Sequence, residues 1–219
     1  MAKILESAGK KVGMSSGVLF KVGEREWLND LKMTMPGRFK LQKILKEMVD
    51  DGCEYAVVET TSEGIKQYRH VGISYDMAVF TNLFPEHIEA HGSFEAYRNV
   101  KGKMFEQLAQ TKRKRMFGEE VKKKILVNCD DKEAGYFADH KADEKAGYTA
   151  SKCEVETGSS NFFMAKDIKI ESQGSSFRLG EQGYETNLLG KMNVYNSLAA
   201  VSICLSLGIK PGLVAKGLK

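Results

Sequence analysis

No stretch of the 219-residue sequence approaches the eighteen or so apolar residues in a row that a membrane span requires, and no basic-then-apolar leader opens it. The expectation is a cytoplasmic chain with no membrane partner. Cysteine and histidine are scarce, at four each. Cys53, Cys129, Cys153 and Cys204 make no CxxC pair and no ligand-like spacing with the histidines. They are read as reduced thiols, without a zinc site. A dominant charge is also missing, since 33 Lys and Arg against 29 Asp and Glu leave a net charge of only +4. Much of that excess lies in Lys112–Arg115 and Lys122–Lys124. Basic runs bind single-stranded nucleic acid when aromatic residues between them stack the bases, and none do here. These runs are read as a solvated helix end and a strand lead-in, with no nucleic-acid partner. What remains is a globular composition, 42% hydrophobic and 28% charged, sufficient for one domain with a core.

Residues Ala2 to Ala8 read as the tail of a helix stopped by Gly9. A helix that opens at the first residue, with no cap and no strand before it, is expected to reflect truncation. A short strand follows near Val12–Met14, then polar loop as far as Pro36. Leu41, Ile44, Leu45 and Met48 fall at i, i+3, i+4 and i+7, so Lys40 to Asp50 is an amphipathic helix ended by Asp51-Gly52. Tyr55–Val58, Met77–Phe80 and Ile125–Val127 are compact apolar strands with helical pattern between them. That alternation predicts βαβ units and a three-layer α/β fold on a mainly parallel sheet. Phe94, Tyr97, Met104, Phe105 and Leu108 mark one long helix between the second and third strands. Lys166–Glu171 and Ser175–Leu179 flank Gly174 and read as an antiparallel hairpin on the sheet edge. The helix from Asn193 to Leu207 is apolar on most sides and is expected to be buried.

In an open α/β sheet, ligands gather beyond the carboxyl ends of the parallel strands. Those ends carry Glu59-Thr60-Thr61, then Thr81-Asn82 leading to His87, then Asn128, Asp130 and Asp131. Glu59 and His87 together can hold a divalent metal, magnesium if phosphates are present. Equally, Glu59 can cap the next helix and His87 can be a buried, hydrogen-bonded histidine; periodicity alone favours these plainer readings. Lys101 shares the apolar stripe of its helix with Tyr97, Met104 and Leu108, while Lys103 faces outward. A lysine on a buried face is depressed toward its neutral amine. Such an amine can add carbon dioxide to form a carbamate suited to magnesium, or the side chain can snorkel to the stripe's edge. Asn193 and Asn196, three apart, share a face on which two amides can read an adenine ring. Asn193 can also be the helix N-cap.

These local features resemble one family. The run DMAVFTNLFPEHIEAHG from Asp76 to Gly92 is similar to the Mur ligase signature, a TNL followed by DHLDxHG. Phe94 to Phe105, with Tyr97 and Lys101, resembles the segment in which an AK precedes LF. Glu59-Thr60-Thr61-Ser62 stands at the EvSS position, and Leu189 to Asn196 resembles GxFNxxN. Order and spacing hold from about Ala2 to the end, and the likeness is greatest to the branch of UDP-N-acetylmuramoyl-tripeptide synthetases. The resemblance implies the central, ATP-binding domain of a peptide ligase, which phosphorylates a carboxylate with ATP before an amine attacks the acyl phosphate. It implies Glu59 and His87 as Mg2+ ligands, and Lys101 as a carbamylated, metal-bridging lysine. Asn193 and Asn196 become adenine contacts. Thr34, Thr61, Gln67 and Arg69 become contacts to a UDP-N-acetylmuramoyl-peptide, the partner of ATP and an amino acid.

The sequence departs from the family pattern in places. The family's TTP reads Thr34-Met35-Pro36, Glu63 stands where a histidine usually follows the paired serines, and Glu86 and Glu89 replace aspartates. No GxxxxGK[ST] loop to cradle phosphates occurs anywhere. The expectation is therefore that residues 1–219 are a central domain truncated before that loop, without its N- and C-terminal domains, and inactive alone. A non-catalytic nucleotide- or partner-binding module, or a folylpolyglutamate synthase relative, is the alternative.

Overall fold

A computed structural model describes residues 1–85, 88–116, 118–155 and 162–219. The chain opens with α1 (Ala2–Ser7) and an antiparallel meander, β1 (Val12–Ser15), β2 (Leu19–Val22) and β3 (Arg25–Leu28). Helix α2 (Arg38–Asp50) leads to β4 (Tyr55–Val58), the short α3 (Ser62–Lys66) and β5 (Met77–Phe80). After α4 (Ile88–His91) and the long α5 (Phe94–Gln110) comes a small hairpin, β6 (Arg115–Met116) and β7 (Glu119–Glu120). Then follow β8 (Lys124–Asn128), α6 (Ala134–Ala138), β9 (Glu144–Thr149) and β10 (Phe162–Met164). A second meander runs through β11 (Lys166–Glu171), β12 (Gly174–Leu179) and β13 (Gln182–Thr186), before α7 (Lys191–Ser206) and α8 (Pro211–Leu218).

The three layers can be read from single side chains. In β8, Leu126 packs with Leu198 and Val201 of α7 and with Ile4 and Leu5 of α1. Its neighbours Ile125 and Val127 pack on the other face with Phe105 and Leu108 of α5 and Phe137 of α6. Successive strand residues point to opposite faces, so a strand covered by helices on both must be apolar throughout. The sheet order is β10-β9-β8-β5, all parallel, while β4 pairs in parallel with β1 in the sheet β3-β2-β1-β4. The anticipated hairpin about Gly174 is present, but with β13 it forms a three-stranded antiparallel sheet of its own rather than an edge of the parallel sheet.

Three readings are corrected. The stretch up to Pro36 is not only polar loop, for it contains β2 and β3. Phe20 and Val22 join Ile44 and Met48 in a small core. Lys21 of β2 is only 5% exposed, held by Glu6 at 2.8 Å and Glu26 at 2.6 Å. Burying an ammonium is tolerable only with such partners, which the sequence pattern could not reveal. The strand β9 was missed because Glu144 and Lys145 disguise it, yet it is paired on both sides. The cysteines are not all reduced. Cys129 and Cys153 form a disulfide with their Cα atoms 5.0 Å apart, while Cys53 and Cys204 are free. The pairing depends on β8 and β9 running side by side, and sequence spacing carries no sign of that.

No helix among the described residues is long and apolar enough to cross a membrane. The helices α1 and α8 approach so closely that a Cβ on Gly217 would lie 2.6 Å from Ile4 Cα. A backbone atom cannot swing aside, so Gly217→Leu must part the helices. The expected loss is about 1–3 kcal/mol, read as a lower urea midpoint at unchanged slope.

Candidate functional site

The residues beyond β4 form a patch with the loop after β1. The Glu59 side chain does not cap the following helix. Its Oε2 accepts the Gly17 N–H at 2.9 Å, and Thr61 caps α3 instead, its Oγ1 accepting the Gly64 N–H at 3.1 Å. A Cβ on Gly17 would meet Thr34 Oγ1 at 3.0 Å, so the absence of a side chain lets Thr34 lie against this loop. Met35 likewise lies on α3, where a Cβ on Gly64 would come within 2.5 Å of its Sδ. Arg69 donates to Met35 O and to Gln67 Oε1, and Gln67 donates to Glu63. Thr34 and Glu59 thus meet at Gly17, and Thr61 is joined to Arg69 and Gln67 through Gly64 and Met35.

A second group lies where α3 meets α5. Lys101 is half-buried, with Nζ 5.3 Å from the centroid of the buried Tyr97 ring, whereas Lys103 is exposed. Tyr97 lies 5.1 Å from the His91 ring. His91 Nε2 is 3.2 Å from Ser62 Oγ, one residue past Thr61. Sequence reasoning assigned no role to His91 or Ser62; their only signal was a position inside the matched motifs. His87 lies outside the described residues. Among the described residues, no three His, Cys, Asp or Glu side chains gather as a metal cluster.

The third group sits beyond β8 and β9. Asn128 donates to Thr81 O at 2.8 Å, tying the ends of β5 and β8 together. Asp131 accepts the backbone N–H groups of Leu83 and Glu133 at 2.9 Å each. Asp130 accepts from Thr149 Oγ1, the Ala150 N–H, Ser151 Oγ and the Tyr195 hydroxyl. Burial pushes its carboxyl upward, but these four bonds outweigh burial and hold it below the usual carboxylate range. On α7, Asn193 is the third helical residue rather than the cap, which is Gly190. Its Nδ2 donates to Leu189 O at 2.9 Å, and Asn196 Nδ2 donates to Asn193 Oδ1 at 3.3 Å. The link from Tyr195 to Asp130, 65 residues apart in sequence, was not legible beforehand.

A cavity of about 260 Å³, lined by Met77, Lys124, Glu144, Leu205 and Ser206, lies at the amino ends of the parallel strands, away from all three groups. An open groove of about 450 Å³, lined by Cys129, Asp131, Lys132, Lys152 and Glu154, lies at the carboxyl edge. Parallel α/β sheets bind at the carboxyl edge, so the first cavity is not taken as the site.

A parallel α/β core with its polar and ionisable residues gathered beyond the strands' carboxyl ends defines a ligand-binding domain of the open-sheet class. The description of the Mur ligase middle domain matches residues 1–204, and the chain belongs to that family. It is 36% identical over 221 residues to the UDP-N-acetylmuramoyl-L-alanyl-D-glutamate--2,6-diaminopimelate ligase of Geobacillus kaustophilus, covering 99% of this chain and 42% of that protein. It is 33% identical to the UDP-N-acetylmuramyl-tripeptide synthetase of Roseiflexus sp., covering 94% of this chain and 40% of that protein. The chain therefore spans well under half the length of these relatives. A solved UDP-N-acetylmuramoyl-L-alanyl-D-glutamate--2,6-diaminopimelate ligase superposes with a TM-score of 0.79 at 22% identity, over 99% of this chain and 42% of that one. The MurF ligase of Thermotoga maritima in complex with ADP superposes at 0.60 and 13% identity, over 98% of this chain and 43% of that one. At these identities the superpositions speak for the fold.

Proposed function

We propose that this chain is the ATP-binding central part of a ligase that adds an amino acid to a UDP-N-acetylmuramoyl-peptide through an acyl phosphate. The observation that carries the reading is the linked patch of Thr34, Glu59, Thr61, Gln67 and Arg69 at the carboxyl edge of the strands. In this reading, Arg69 and Gln67 hold the acidic peptide substrate, and Thr34 and Thr61 offer hydroxyls to it. Bonds to Met35 O and Gln67 hold the Arg69 guanidinium in place, so little is lost in ordering it when an anion binds. Glu59 is a suitable oxygen donor for magnesium: Oε2 is held by Gly17, and Oε1 has no partner among the described residues. His87 and Lys101, as its carbamate, complete the ligand set. Magnesium, when bound, offsets the charge of the transferring phosphoryl group. Asn193 and Asn196 present amides to adenine from the first two turns of α7.

Calorimetric titration of the purified 219-residue chain with ADP tests the nucleotide half of this reading. Affinity on the order of millimolar is expected, since no GxxxxGK[ST] loop is present to add phosphate contacts. Asn196→Ala should abolish the heat of binding while leaving the melting temperature in place, because Asn196 is exposed. Undiminished binding by that variant would refute the adenine assignment.

A further inference from the structure

We propose that Asp130 and Tyr195 are a positioning pair for the nucleotide site, their hydrogen bond setting the rotation of the first two turns of α7 and so the aim of Asn193 and Asn196. The inference rests on the adenine reading above and adds residues to it. Tyr195 stands between the two asparagines in sequence. Its hydroxyl donates to Asp130 Oδ2 at 2.9 Å. An O–H donor to a carboxylate is among the stronger and more directional bonds available to a side chain.

The rest of α7 cannot supply that direction. Val194, Leu198, Val201 and Cys204 bury the helix in the core, but apolar burial is non-directional. The helix start has no side-chain cap: Gly190 is the N-cap residue, at φ 88°. The Asn193 bond to Leu189 O is local to the same turn and moves with it. Of the side-chain bonds made by the first two turns, the Tyr195 bond alone among the described residues ties them to the sheet edge.

Asp130 is in turn a fixed anchor. Thr149 Oγ1 donates to it at 2.6 Å, the Ala150 N–H at 2.7 Å and Ser151 Oγ at 2.5 Å, so the carboxylate is held from the end of β9 and the loop after it while its own backbone follows β8. The disulfide between Cys129 and Cys153 joins those two loops again, one residue before Asp130 and two after Ser151. An acceptor held by three donors and flanked by a covalent tie has little freedom to follow a moving helix. The helix must follow it. Burial and the bond to Asp130 push the Tyr195 phenol up to about 12, so it stays protonated and able to donate at any ordinary pH.

The test is a double-mutant cycle on the 219-residue chain, read in ADP affinity and in the side-chain amide resonances of Asn193 and Asn196. Tyr195→Phe removes one oxygen and keeps the ring; Asp130→Asn keeps the size and removes the charge. Each is expected to weaken ADP binding about tenfold. The double variant should be no weaker than either single one, since both break the same bond. Both should shift the Asn193 and Asn196 amide signals in the absence of ligand while core methyl signals hold still, which general loss of structure would not do. Undiminished binding in both single variants, where Asn196→Ala loses it, overturns the pair and leaves the adenine reading standing. Additive losses also overturn it. Failure of the unaltered chain to bind ADP overturns the adenine reading itself, and the pair with it.

Discussion

Lys101→Ala in the full-length ligase, of which this chain is proposed to be the central part, is expected to lower kcat by about a hundredfold or more, with a smaller change in KM for the peptide substrate. The expectation follows from where the lysine sits. It is half-buried on α5, its Nζ 5.3 Å from the Tyr97 ring, in a chain of contacts that runs through His91 to Ser62 at the start of α3. In the proposed role, the amine there adds to carbon dioxide, forming an N–C bond and releasing a proton, to give an anion with two oxygens. Removing charge-stabilising groups from phosphoryl-transfer sites typically lowers rates by about that factor. Acetate should restore part of the activity by supplying carboxylate oxygens, whereas bicarbonate alone should not. Lys103→Ala, on the exposed side of the same helix, should leave kcat within about twofold. Steady-state assays of ADP release measure each of these. Near-normal turnover by the Lys101 variant would remove the carbamate role.

Phe137→Ala should be the most damaging single truncation of the core on the α5 side of the sheet. The residue is fully buried, stacked on Phe80 at 4.0 Å between centroids, with Phe105 at 4.9 Å and Tyr136 edge-on at 5.1 Å. Alanine removes the ring from all three partners at once. Those partners lie on a strand, a long helix and α6 itself, so they cannot close together over the space. The expected loss is about 3–5 kcal/mol, the usual range for such a truncation. In a domain of this length it corresponds to a fall in Tm of roughly 6–20 °C. Urea unfolding of the 219-residue chain, with the slope unchanged, measures it; a loss below about 1 kcal/mol would mean that the layer collapses around the gap.

How far the residues spoke for themselves varies along the chain. Leu41, Ile44 and Met48 announced α2 by their spacing, and all three are buried. Met77–Phe80 and the core of β8 were legible as strands because strands covered on both faces are apolar at every position, and Tyr55–Val58 was legible by its apolar run although Ala56 is exposed. The motifs about Glu59, His87, Lys101 and Asn193 pointed to a family, which the match over residues 1–204 bears out. Two of the strands that escaped notice share one property. Lys21 in β2 and Glu144 and Lys145 in β9 place charges inside strands, and such residues read as loop until their partners are known.

Local pattern and motif order were therefore enough for the element types of the core, its parallel α/β class and the family. They could not say which distant residues meet. The bond from Tyr195 to Asp130, the disulfide between Cys129 and Cys153, and the contact of Thr34 with the Gly17 loop each join segments brought together only when the strands align and the helices dock. Periodicity reports how a residue is buried by its own element, because that depends on the 3.6- and 2-residue repeats alone. Partnership depends on register and packing across elements, and those are properties of the assembled fold.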